Sequence, residues 1–272
     1  MHRRPACAAF AAFASLLVFA ASALAETSEL ASRIGAGKGC ANCDLRRASL
    51  RDLQVITADF SGATLREADL KSAQLPNASF AGADLRRSEM ERLLAPDSDF
   101  TEAQLRDSDL EKAQLQRSIF TEADMRGADF ASARVDSALF GDADMRDAIL
   151  RRIQASGADF SGAQMQGADL ERAVLAGAIL RGADLEGADM DRIEAHSADF
   201  SGADLRDSRL TSADLSRALF DGTDLRGALL RRARLAGADL SGALGLSQED
   251  LDIACGDKAT RLPEGFTIPD CG

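Results

Sequence analysis

Large apolar residues recur at every fifth position from about Cys43 to Leu244, on residue numbers ending in 0 or 5, and a small residue stands two places before most of them. Ala58-Asp59-Phe60-Ser61-Gly62, Ala183-Asp184-Leu185-Glu186-Gly187 and Ala238-Asp239-Leu240-Ser241-Gly242 show the unit, which is never interrupted by an insertion. A period of five fits neither the helix nor a long simple strand. Within one unit, however, the small and large residues are two apart, and such residues point the same way on an extended segment. Each unit therefore predicts a short extended piece followed by a turn. A fixed short period of this kind marks a solenoid, whose coils stack and bury one another's apolar faces.

A second period sets the size of one coil. Phe60, Phe80, Phe100, Phe120, Phe140, Phe160, Phe200 and Phe220 hold central positions twenty apart, with Leu180 and Leu240 completing the series, and Phe130 is the one central Phe off it. Four units thus make one turn of a square-sectioned tube, with the phenylalanines stacked along one side. About ten coils at the roughly 4.8 Å spacing of neighbouring strands predict a rod on the order of 48 Å long. At Leu53/Val55, Leu93/Ala95, Ile153/Ala155 and Ile193/Ala195 the size order of the pair is reversed or levelled, always on the same side of the square. Total volume is nearly kept, which packed cores tolerate.

Both ends of such a rod need covers, because unpaired strands recruit other chains. Residues 26–33 predict a short helix at one end. At the other, Ser247-Gln248-Glu249-Asp250 resembles a capping box opening a helix to about Ala254. The expected layout is residues 1–25 as signal peptide, 26–42 as N-terminal cap, 43–244 as repeat rod, and 245–272 as C-terminal helix and disulfide-closed cap.

The first 25 residues break the pattern. Arg3 and Arg4 precede an apolar run from Ala6 to Ala21, and Ala23-Leu24-Ala25 precedes Glu26 as a small-x-small cleavage signal. This is the arrangement of a secretory signal peptide, which predicts an exported, periplasmic or extracellular protein with no integral membrane segment after cleavage. The same run is long enough to serve as an uncleaved anchor. Four cysteines remain beyond the leader: Cys40, Cys43, Cys255 and Cys271. An even number in an exported chain reads as disulfides, with three connectivities open in principle. The pairs lie at opposite ends of the array, so Cys40 is expected with Cys43 and Cys255 with Cys271. The second bridge closes a loop of about 17 residues, worth roughly 3 kcal/mol in the chain-entropy model. Cys40 and Cys43 lack the further ligands that a metal site needs, and Asp44 stands where haem attachment requires His.

The units Ala83-Asp84-Leu85, Ala168-Asp169-Leu170 and Ala203-Asp204-Leu205 are clean copies of an Ala-Asp-Leu-x-x motif, and in them the chain resembles the pentapeptide-repeat family over about 200 residues. The resemblance implies an all-β fold, a right-handed quadrilateral parallel β-helix. The resemblance also implies that some members resemble double-stranded DNA in shape and charge, bind DNA gyrase and protect against quinolones, while many others have no assigned role. The motif supplies core positions, so it transfers no functional residue.

Charge separates the sides of the predicted square. Removing Arg3 and Arg4 from the 32 basic residues leaves 30 against 44 acidic ones, net −14, which disfavours direct nucleic-acid binding. The side carrying the Phe column bears nine outward acids (Asp59, Asp99, Glu102, Glu122, Asp142, Asp159, Asp199, Asp221 and Asp239) against one base, Arg181. The next side in chain order bears Arg46, Arg66, Arg86, Arg106, Arg126, Arg146, Arg206 and Arg226 in register. That column has the chemistry to grip carboxylated or phosphorylated polymers. Charge balance is the competing account, because Asp44, Asp84, Asp124, Asp144, Asp184, Asp204 and Asp224 share the side. Ile119 and Leu139 fall on adjacent coils of the Phe side and form a candidate contact patch. His196 is the one histidine beyond the leader, and no nucleophile is arranged around it. The sequence therefore predicts a non-enzymatic scaffold without cofactor or metal, engaging an unknown protein or envelope polymer. A DNA-mimicking gyrase inhibitor is the alternative.

Overall fold

The computed structural model describes residue 34 and residues 39–272. The leader and the helix expected over residues 26–33 lie outside the described residues. From residue 44 onward the backbone pairs with itself twenty residues away, in parallel and without a slip. Asp44 bridges Thr64, Thr64 bridges Asp84, and the ladder runs on through Asp224 and Leu244. Four such bridges per coil build a right-handed quadrilateral β-helix, one bridge on each side of the square.

The pentad explains why the chain turns so often. At each corner the central residue is followed by two turn residues, and the second of these has positive φ. Every residue from Asn42 to Gly237 whose number ends in 2 or 7 is left-handed, 27 of them non-glycine and 13 glycine. The N–H of the next small residue then bonds back to the central carbonyl, as in Ala48 to Leu45 (3.0 Å) and Ala63 to Phe60 (3.0 Å). A left-handed third residue closed by that bond is the type II turn. Non-glycine residues in this region cost roughly 1–2 kcal/mol each. The fold tolerates the strain because packing and the ladder over-determine every corner.

Many acids in the motif have a structural task here. The Asp before the centre accepts a hydrogen bond from the N–H two residues on, as Asp59 does from Ser61 (2.9 Å), Asp99 from Thr101 (2.9 Å) and Asp129 from Ala131 (2.8 Å). These are Asx turns, which hold the chain in its bend. At Pro76 the corner is closed differently: the Ser98 hydroxyl takes the N–H of Ala78 (3.0 Å) and donates to the Leu75 carbonyl (3.2 Å).

The small and central residues of each unit fill the tube, and the level or reversed pairs obey the same rule: Leu93, Ala95, Ile153, Ala155, Ile193 and Ala195 are all buried. Phe80, Phe100 and Phe120 stack with ring centroids 4.7 Å apart. The column extends from Phe60 to Phe160 and resumes at Phe200 and Phe220, with Leu180 in the gap. Phe130, on the opposite side of the square, meets Phe120 edge-on at 6.0 Å.

Beyond Leu244 the register changes. Arg234 bridges Cys255 and Asp239 bridges Arg261, spacings of 21 and 22 rather than 20. Helix α1, Gln248–Asp252, takes the place of the pentad after Leu244 and is slightly shorter than the sequence predicts. Its capping box is present: Asp250 N–H donates to Ser247 Oγ (3.2 Å) while the Ser247 N–H donates to Asp250 Oδ2 (3.1 Å). Leu251 is buried against the last coil. The Asp257 side chain stands in for a carbonyl of a further coil, accepting from the Gly237 N–H (2.9 Å). Disulfides join Cys40 to Cys43 and Cys255 to Cys271.

Two substitutions test this architecture. Leu170→Asp, at a fully buried centre, should destabilise by more than the about 2–5 kcal/mol of a buried Leu→Ala change, and an unchanged thermal midpoint would contradict the inward placement. Gly182 has φ +62° and open space where an added methyl group would stand. Gly182→Ala should therefore lower stability by backbone strain alone, about 1–2 kcal/mol, measured by urea unfolding.

Candidate functional site

The two charged sides of the rod differ in how completely their charges are matched. On the arginine side, each member of the predicted column has a carboxylate partner. Some pairs are made within one pentad, where Arg and Asp flank the buried centre and point outward together. Arg86 meets Asp84 at 2.6 Å and Arg146 meets Asp144 at 2.6 Å in this way, as do Arg46 and Arg226 with Asp44 and Asp224. Others cross to the next coil: Arg106 meets Asp124 at 2.5 Å, Arg66 approaches Asp84 at 3.9 Å, and Arg126 bridges Asp124 (2.8 Å) and Asp144 (3.2 Å). Arg206 joins Asp204 (2.6 Å) and Glu186 (2.8 Å). A column paired this thoroughly holds little free positive charge for a polyanion.

The pairing depresses the acids. Hydrogen bonds from Arg46 lower the Asp44 carboxyl to about 2. The guanidinium groups of Arg146, Arg206 and Arg226 likewise hold Asp144, Asp204 and Asp224 below the ordinary carboxylate value, against the opposing pull of partial burial. For Asp84 burial is the largest influence and raises the pKa, yet Arg86 outweighs it.

The column is broken at two positions, Gln166 and Glu186. There Asp184, Glu186 and Asp204 bring carboxylate oxygens within 4.8 Å of one another. The Arg206 guanidinium already contacts Glu186 and Asp204, and Gln166 Nε2 donates to Asp184. The positive charge of this cluster is thus supplied by the protein itself.

The Phe side is different. Asp59 and Asp239 accept from Ser61 and Ser241, whose hydroxyls and N–H groups lower their pKa values. For Asp199 burial raises the pKa, and Ser201 together with Arg181 (2.6 Å) overcomes it. Arg261 from the cap approaches Asp239 at 3.3 Å. Among the described residues, Asp59, Asp99, Glu102, Glu122, Asp142, Asp159 and Asp221 form no ion pair. Ile119 and Leu139 bridge each other directly and remain exposed at the centre of this side, at 37% and 44%.

His196 lines an open groove of about 450 Å³ with Ser197, Ser216, Arg217 and Asp257. The Asp257 carboxylate is occupied by the N–H groups of Gly237, Ala259 and Thr260. Among the described residues His196 makes no side-chain hydrogen bond, so no proton relay is assembled there.

Ile119, Leu139 and the eight arginines stand on the sides that the repeat assigns them. Sequence reasoning missed the Asx turns, although Asp-x-Ser/Thr at Asp59-Phe60-Ser61 and Asp99-Phe100-Thr101 is a readable signal. A consequence is a defined acid limit. Twelve carboxyls are held below their ordinary values and one, Asp109, is raised, by burial first and then by Glu91 and Asp129 nearby. A depressed carboxyl stabilises the fold above its unfolded pKa and loses that effect as pH falls through the folded one. The melting temperature should therefore hold between about pH 7 and 5 and decline below about 4. Protonating Asp109 acts in the opposite direction but is outnumbered. A melting temperature that rose steadily from about pH 5 to 3 would contradict the assignment.

The family model for pentapeptide repeats matches residues 57–92, 98–135, 138–175, 169–207 and 208–244, in eight copies. Among solved structures, HetL, a pentapeptide repeat protein involved in heterocyst differentiation regulation from the cyanobacterium Nostoc sp. strain PCC 7120, is 26% identical. That match covers 90% of this chain and 98% of HetL, with a TM-score of 0.32. A pentapeptide repeat protein of the Arabidopsis thaliana thylakoid lumen is 31% identical over 35% of this chain and 63% of its own, with a TM-score of 0.30. QnrB1, a plasmid-mediated fluoroquinolone resistance protein, is 17% identical over 78% of this chain and 92% of its own, with a TM-score of 0.33. No curated protein matches the chain. The unbroken pentad ladder and the family match over most of the rod lead to one conclusion: the chain belongs to the pentapeptide-repeat family.

Proposed function

We propose that this repeat protein is an exported, non-enzymatic scaffold whose lateral sides engage other proteins or a cell-envelope polymer. The observation that carries the reading is the chemical contrast between adjacent sides of one rod. The arginine side is neutralised pair by pair, while the Phe side keeps nine acids against one base and exposes Ile119, Leu139 and Leu219. Fixed sides of differing chemistry suit presentation to partners. Export is supported by the leader pattern of residues 1–25 and by the use of all four later cysteines in disulfides, bonds that persist in oxidising compartments. On this reading residues 26–42 cap the rod, 43–244 form it, and 245–272 close it. The mature protein acts in the periplasm or outside the cell.

The acidic Phe side favours one other reading, a DNA mimic that inhibits gyrase. The leader argues against it, since gyrase works on cytoplasmic DNA. One experiment addresses both. The full chain carrying a C-terminal tag is expressed in a bacterium, fractionated and weighed intact, and the purified product is added to a supercoiling assay. The expected product begins at Glu26, leaves the cytoplasm, resists thiol alkylation until reduced, and does not affect supercoiling. An unprocessed cytoplasmic chain with free thiols would overturn export, and strong inhibition of supercoiling would replace the scaffold reading with mimicry.

A further inference from the structure

We infer that the Phe side carries a docking patch for a cationic protein segment bearing large apolar side chains, centred on Ile119 and Leu139. The inference rests on the scaffold reading above and names the class of partner. Four successive coils contribute one outward column: Asp99 bridges Ile119, Ile119 bridges Leu139, and Leu139 bridges Asp159. Neighbouring strands lie about 4.8 Å apart, so the two aliphatic side chains are in direct succession and an acid stands at each end. Along the adjacent corner Glu102, Glu122 and Asp142 follow one another on three of those coils, all exposed and all left-handed in their backbone. An apolar centre with a polar rim is the anatomy of a protein-binding site.

The character of the rim selects the partner. Asp99 and Asp159 accept hydrogen bonds from their own turns, from Thr101 and Ser161, and gain no positive charge from doing so. Among the described residues none of the five rim acids has a basic group within ion-pair distance, although ion pairs are frequent elsewhere on the rod, Arg117–Asp97 and Arg261–Asp239 among them. Arginines are plentiful on the neighbouring side and are engaged with its own acids there. The unmatched carboxylates therefore call for lysine or arginine from outside the chain, and the aliphatic centre calls for an apolar side chain between them. Nucleic acid and anionic lipid are repelled by the same rim. A bare polycation would meet the rim but leave the centre unsatisfied.

The test uses two peptides of equal charge, Ac-KKKLLKKK-amide and Ac-KKKGGKKK-amide, titrated by fluorescence anisotropy against the mature rod at low ionic strength. The leucine peptide should bind roughly tenfold more tightly than the glycine peptide, the scale set by burying a few methyl or methylene groups. Ile119→Ser with Leu139→Ser should abolish that preference while leaving the glycine peptide unaffected. Glu122→Gln with Asp142→Asn should weaken both peptides, and added salt should reduce this difference. All four positions are exposed, so unchanged melting of each variant controls for folding. Absence of a preference in the wild type, or its persistence after the Ser substitutions, would overturn the patch. Self-association of the wild type in sedimentation, abolished by the Ser substitutions, would make a second copy the occupant and overturn the partner class. Either result leaves export and processing, read by fractionation and mass, untouched.

Discussion

In the interior pentads the central residue and the residue before it donate their N–H groups in opposite directions along the rod. Leu85 donates to Gln104 in the following coil (2.8 Å), whereas Asp84 donates to Ala63 in the preceding one (2.9 Å). No coil can satisfy its own backbone, and none has enough interior to fold alone. The strict twenty-residue repeat is the condition for this exchange. One extra residue would move each later side chain to the wrong face and misalign both sets of donors. Such additions appear only beyond Leu244, where α1 and the Asp257 side chain take over the satisfaction of the last coil.

The same constraint explains the corners. Twenty residues close into a square only if each pentad bends once in the same sense, and every corner takes a left-handed residue to do so. Glycine would be the unstrained choice, yet most corners carry Arg, Asp, Ser or Glu instead. The ladder forces those residues into place, and their side chains are left free to line the surface. Surface chemistry is thus written largely on strained positions, held by neighbours above and below.

Those surfaces are unequal for a physical reason. On the arginine side Asp and Arg flank the same buried centre, so the charges meet within one pentad and again across coils. On the Phe side the residue after the centre is mostly Ser, Thr, Ala or Gly, which can complete an Asx turn or fill space but cannot neutralise an acid. Negative charge accumulates there, and at Ile119 and Leu139 the outward acids give way to aliphatic residues.

The amino-acid order by itself determined the square section, the inward and outward assignment of nearly every residue in the rod, the Phe column and the C-terminal capping box. It could do so because all of these follow from spacing along one chain: period five sets the bend, period twenty sets the stack. The tertiary structure alone decided which charges are matched. Arg86 and Asp84 are two residues apart and their meeting could be anticipated, but Arg106 with Asp124 and Arg117 with Asp97 depend on register between coils and on the directions long side chains take. The sequence leaves the column of eight arginines as either a binding surface or a charge-balanced wall, and the fold pairs each of them with a carboxylate. The acids around Ile119 and Leu139 look like an ordinary solvated face, and among the described residues no basic group lies within ion-pair distance of them. Ion pairing depends on three-dimensional distance, which a linear pattern specifies for the backbone ladder and leaves open for flexible side chains.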